Sequence, residues 1–126
     1  MKANDYKNEC LKTESNNFDE IKKRVTEDNI RLLHACLGMQ TECAEFTDVI
    51  KKHLFYNKPL DIINLKEELF DCCWYMSIAL DVLGYSFEEG FNKNIEKLKI
   101  RYPEKFNEEK ALNRNLSLEK EVLKQN

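Results

Sequence analysis

Two pairs of acids in this chain have a spacing that could do chemistry. Glu42 and Glu45 stand three residues apart, and Glu68 and Asp71 repeat the interval further along. On a helix, side chains three apart are surface neighbours, so each pair presents two carboxylates together. The second pair sits in LKEELFDCCWYM, residues 65–76, among largely apolar neighbours. An unpaired carboxylate in such surroundings costs several kcal/mol, so it must be protonated, paired or bound to a cation. Two helices closing antiparallel would bring four carboxylates around one site, and a hard cation would relieve their repulsion. All-oxygen ligation points to Mg²⁺, with Mn²⁺ as a substitute, rather than to zinc.

The alternative for Glu42 and Glu45 is that both are solvated, since their side of the helix also carries His34, Thr41 and Asp48. Asp71, inside the apolar run, fits that reading poorly. A di-iron carboxylate bundle would need Glu-x-x-His motifs, and neither His34 nor His53 follows a glutamate at that spacing. No G-x-x-x-x-G-K phosphate loop is present. Asn94, Lys97 and Arg101 recur at i, i+3 and i+7 along one helix edge. Alone they read as a snorkelling basic edge; beside a metal site they become a candidate polyphosphate clamp. His34 is a candidate ligand contact, with a surface histidine as the alternative. Trp74 and Tyr75 could stack on a base or simply fill the core.

The elements that must position these groups follow from periodicity. Leu32, Cys36, Met39, Cys43, Phe46, Ile50 and Leu54 predict a helix over residues 27–55 with one apolar stripe. Asn57, Lys58 and Pro59 break it, and Asn64 with Glu67 resembles a capping box opening a helix over 65–83. That helix is apolar almost all round, which predicts burial in a bundle. Gly84 is a stop, and Ser86 with Glu89 opens a third helix to residue 101, ended by Pro103. A single domain over residues 1–126 is expected, with an N-terminal arm (1–26) docking on the body, a helical core (27–103) and a polar tail (104–126). The arm should hold a short helix near 6–13 and the tail one near 117–123.

Composition agrees with an all-α fold: 42% of the 126 residues are hydrophobic and 34% charged, with three glycines and two prolines. A net charge of -3 gives no basic field for gripping long nucleic acid. No apolar run reaches the roughly 18 residues needed to span a bilayer, and the first residues lack a signal-peptide core. A cytoplasmic protein without membrane or long nucleic-acid partners is expected. Five cysteines with no C-x-x-C pair read as reduced thiols, Cys36 and Cys43 as small buried groups on one helix face, and Cys72 and Cys73 likewise.

The blocks LLHACLGMQTECAEFTDVIKKHLFYNKPLD, NLKEELFDCCWYM and NIEKLKIRYPEKF, in that order, resemble the MazG-like all-α nucleoside triphosphate pyrophosphohydrolases, especially the short phage and bacterial members. The resemblance covers roughly residues 31–106. It implies hydrolysis of nucleoside or deoxynucleoside triphosphates to the monophosphate and pyrophosphate, with Mg²⁺ held by Glu42, Glu45, Glu68 and Asp71. It implies that Glu42 or Glu45 orients or deprotonates the attacking water. It implies substrate contacts from Asn94, Lys97 and Arg101, with Lys51 and Lys52 as further candidates. It also implies a homodimer or a dimer of dimers, completing a bundle around the helix hairpin. Phe70 stands where the family often has glycine, and Cys43–Ala44 where it often has Ala-Gly; both changes alter pocket shape and leave the acids in place. A catalytically silent helical dimerisation or interaction module is the competing reading.

Overall fold

Frequent apolar residues at helical spacing, with few glycines and prolines, become seven helices and no strand among residues 1–124, which this computed structural model describes. They are α1 (Ala3–Leu11), α2 (Phe18–Lys23), α3 (Glu27–Tyr56), α4 (Ile62–Leu83), α5 (Phe87–Arg101), α6 (Glu108–Leu112) and α7 (Leu116–Lys124). The last two residues of the expected tail lie outside the described residues.

Each long helix has an identifiable start and stop. The Thr26 hydroxyl accepts the Asn29 N–H at 3.2 Å, and Glu27 and Asp28 put negative charge against the first turn of α3. Asn57 ends α3 in the left-handed conformation at φ 52°, and His53 Nδ1 pairs with the Lys58 carbonyl at 2.8 Å across the turn. Gly84, at φ 60°, ends α4, where a residue without Cβ meets no steric penalty. Ser86 and Glu89 form the expected reciprocal capping box at the start of α5. The start of α4 differs from expectation. Asp61 is its N-cap, accepting the Asn64 N–H at 3.0 Å, so the helix opens three residues early and Asn64 lies inside its first turn.

α3 and α4 pack as an antiparallel hairpin. Arg31 near the start of α3 pairs with Asp81 near the end of α4, and between them the helices meet at Gly38 and Tyr75. A Cβ on Gly38 would lie 2.1 Å from the Tyr75 ring, so only glycine allows this approach. Ala35 and Gly38 are the buried residues of α3. The buried line therefore follows the expected stripe only in part: Leu32, Met39, Phe46 and Ile50 are half-buried, Cys36, Cys43 and Leu54 are exposed, and the closest approach to the partner helix falls on the small residues beside the stripe.

α3 covers one face of α4 and leaves the rest open. Phe70 is 75% exposed and Trp74 58% exposed, with Leu69 exposed beside them, contrary to the all-round burial that the apolar run predicts. The chain exposes 10712 Å², against roughly 7,000 Å² for a compact monomer of its mass. α5 packs principally on α7. Residues 1–20 are exposed throughout, so the arm does not dock as expected. α2 and α6, both short, are additional to the expected helices. Among the described residues no helix is long and apolar enough to cross a membrane.

Candidate metal centre

Asp61 sets the register of α4, and that register points Asn64 at Glu68 one turn later. The Asn64 amide donates to Glu68 Oε1 at 2.5 Å. Glu68 is 4% exposed, although it sits in the helix with the most apolar sequence. From α3, Glu42 reaches across to Glu68. Oxygens of Glu42, Glu68 and Asp71 lie within 4.8 Å of one another. No lysine or arginine among the described residues is ion-paired with any of the three.

This crowding acts on Glu42. Desolvation first, then the hydrogen bond to Glu68 and the negative charges of Glu45, Glu68 and Asp71, push its carboxyl above the ordinary value for a glutamate. A proton there relieves part of the repulsion, and a divalent cation would relieve more while displacing that proton. The donor set is entirely carboxylate oxygen, which fits Mg²⁺ or Mn²⁺.

Glu45 stands outside the group of three. It lines a pocket of about 310 Å³ with Asp48, Lys52 and Asn64. That pocket shares Val49, Lys52 and Asn64 with a wider one of about 690 Å³ beneath the hairpin turn. Asn64 therefore separates the buried acid from an open cleft of the size that small-molecule sites usually have.

Of the basic residues singled out in the sequence, Lys51, Lys52 and Arg101 are paired with acids outside the cluster. Lys51 and Lys52 both pair with Asp48, Lys52 at 2.6 Å, and the two cations hold the Asp48 carboxyl below its ordinary value. His34 meets the Tyr75 ring edge-on at 5.6 Å. Asn94 is exposed and Lys97 half-buried on α5. Arg101 makes a two-pronged contact with Glu119, at 2.9 and 2.6 Å, and Arg114 reaches the same carboxylate at 2.7 Å. Hydrogen bonds from Arg101 and Arg114 hold Glu119, itself 3% exposed, down to about 2. No hydrogen bond or ion pair among the described residues joins Asn94, Lys97 or Arg101 to the carboxylate cluster.

Sequence reasoning missed two members of these sites. Asn64 reads as a helix cap, yet its i, i+4 spacing to Glu68 is the signal that would have found its contact. Glu119 carries no such signal, because its partner Arg101 is distant in sequence. Cys43 and Cys72, expected as small buried thiols, are exposed and half-buried respectively, and their sulfurs lie 3.7 Å apart across the two helices.

Fold and site together define the class, an all-α protein with an acidic cluster between two antiparallel helices, in which Glu68 is buried, Glu42 half-buried and Asp71, contrary to its place in an apolar run, exposed. The family model for the MazG nucleotide pyrophosphohydrolase domain matches residues 32–106, more than half of the chain, and the chain belongs to that family. Neither a curated protein nor a solved structure matches it. The matched span contains both acid pairs and the Asn94–Arg101 row, and stops short of α6 and α7.

Proposed function

We propose that this protein is a Mg²⁺-dependent pyrophosphohydrolase that converts ribo- or deoxynucleoside triphosphates to the monophosphate and pyrophosphate. The observation that carries the reading is the convergence of Glu42, Glu68 and Asp71 within 4.8 Å, with none of the three in an ion pair with a lysine or arginine among the described residues. Family membership supports the reaction class.

Glu42, Glu68 and Asp71, with Glu45 as a fourth, would hold the Mg²⁺. When bound, the ion neutralises charge on the polyphosphate and lowers the pKa of a bound water. Asn64 fixes the orientation of Glu68 through its amide. Glu42 or Glu45 accepts the proton of the attacking water, and the open cleft beyond Asn64 receives the nucleotide. Lys51, Lys52, His34, Asn94, Lys97 and Arg101 are the proposed contacts to substrate. Of these, Lys51 and Lys52 exchange Asp48 for phosphate oxygens, and Arg101 presents to substrate whatever Glu119 leaves free.

A second copy of the chain completes the bundle in this reading, as a dimer or a dimer of dimers. The apolar face of α4 around Leu69, Phe70 and Trp74 supports it, as does a total exposed area about one and a half times the compact-monomer expectation. The protein is taken to work in the cytoplasm.

The test is to incubate the purified protein, with and without Mg²⁺, with a panel of ribo- and deoxynucleoside triphosphates and to separate the products by chromatography. Monophosphate and pyrophosphate, only with metal, are expected. Diphosphate and phosphate would mean that another bond is cut. The second reading, a silent helical dimerisation or interaction module, is favoured by one observation: Lys51, Lys52 and Arg101 are each already paired with an acid of the same chain. No product from any nucleotide would support that module instead.

A further inference from the structure

Cys43 on α3 and Cys72 on α4 face each other with their sulfurs 3.7 Å apart, at van der Waals contact. The Cys72 sulfur also lies 3.9 Å from the Met39 carbonyl, directly against the α3 backbone. Both thiols are free, Cys43 exposed and Cys72 half-buried. A pocket of about 250 Å³, lined also by Phe46, Thr47, Glu68 and Leu69, opens onto the pair. Nothing in the hydrolytic chemistry uses either sulfur. Each cysteine nevertheless directly follows a member of the carboxylate cluster, Glu42 on one helix and Asp71 on the other.

We propose that Cys43 and Cys72 are a reversible dithiol–disulfide modification site whose oxidation weakens cation binding at the adjacent acids. The oxidant is a low-molecular-weight disulfide. The exposed Cys43 sulfur attacks one sulfur of the oxidant, losing its proton and expelling one small thiol. Cys72 then loses its proton, attacks the mixed disulfide at the Cys43 sulfur and expels the second small thiol. Two protein thiols are thereby oxidised to one disulfide, and the oxidant is reduced to two thiols that carry the two protons.

Closing the bond brings the sulfurs from 3.7 Å to about 2.05 Å. That movement, on the order of 1.6 Å, is large against the roughly 0.2 Å tolerance of metal–ligand distances. Side-chain rotation absorbs some of it, but both anchors are one residue from a ligand, so the remainder falls on Glu42 and Asp71. The second half of the proposal rests on the metal-site reading; the cross-link itself does not.

The test uses the full chain, incubated with glutathione disulfide and then mapped by non-reducing peptide mass spectrometry. A Cys43–Cys72 linkage is expected ahead of any involving Cys10, Cys36 or Cys73, removed by dithiothreitol and absent in Cys43→Ser and Cys72→Ser. Mixed disulfides only, or scrambled or intermolecular linkages, would overturn the modification site. The rise in melting temperature with Mg²⁺ is then compared between reduced and oxidised protein. A smaller rise after oxidation, restored by dithiothreitol and insensitive to oxidant in Cys43→Ser, is expected; an equal rise in both forms would overturn the coupling. A reduced protein with no Mg²⁺ response would instead count against the metal-site reading, and the linkage map separates the two failures.

Discussion

Two glutamates among the described residues are buried, Glu68 at 4% and Glu119 at 3% exposure, and their surroundings are opposite. Glu119 sits between Arg101 and Arg114, which hold its carboxyl down to about 2. Its charge is satisfied within the chain, and the result is a clamp between α5 and α7. Glu68 is met by one neutral amide, from Asn64, and by two further acids. Glu42 beside it is pushed up rather than down. A buried carboxylate balanced by arginines needs nothing from solution. One surrounded by its own kind calls for a proton or a cation, and that contrast distinguishes a structural acid from a candidate ligand.

The contrast breaks most sharply at the ligands. Glu68→Gln or Asp71→Asn is expected to lower nucleotide turnover by more than about 100-fold, since loss of a ligand's hydrogen-bond partner alone commonly costs 10–100-fold. Circular dichroism should show an intact helical fold in both variants; full activity in either would remove the carboxylates from the mechanism. Asn64→Ala, which deletes that hydrogen-bond partner, should fall within the 10–100-fold range in activity or metal affinity. A titration of rate against Mg²⁺ reads this directly.

Gly38→Ala probes the packing beneath the site. The added methyl overlaps the Tyr75 ring, and overpacking of this kind costs on the order of 1–3 kcal/mol, more than alanine's helix propensity returns. Thermal unfolding should register a lower melting temperature.

Acid should act with opposite signs on Glu119 and on Glu42, the half-buried neighbour of Glu68. Glu119 has its folded-state value lowered to about 2 from 4.5, so its contribution is complete above 4.5 and is lost as pH falls from there through about 2. Glu42 has its value raised from 4.5, so in metal-free protein its contribution is present below 4.5 and fades as pH rises through the raised value. Proteolysis of α7 against pH follows the first, and metal-free unfolding against pH follows the second. Parallel trends would contradict the assignment of causes.

Much of this was legible in local sequence. The Ser86–Glu89 box, Gly84 and the break at Asn57 mark helix ends through contacts a few residues long. The acids stood out because Glu68 and Asp71 interrupt an apolar run. What escaped was non-local or competitive. Asp61 and Asn64 are both good N-caps, and nothing local says that Asp61 takes the position and frees Asn64 for Glu68. Arg101 aligns well with Asn94 and Lys97 on α5, yet its guanidinium is held by a residue of α7 that no periodicity connects to it. The apolar stripe of α3 gave the right helix and much of the inward face, with Leu32, Met39, Phe46 and Ile50 half-buried, but it missed the closest approach at Gly38 and Ala35, which contribute little hydrophobicity and much proximity.

The most direct test of the central claim is the melting temperature of wild type, Glu68→Gln and Glu119→Gln with and without Mg²⁺. A ligand that binds only the folded state stabilises by RT ln(1 + [L]/Kd), about 2.7 kcal/mol at 100 Kd. Wild type and Glu119→Gln should both gain from the metal, whatever their starting stabilities, and Glu68→Gln should not. No gain in wild type, or an equal gain in Glu68→Gln, would contradict the account.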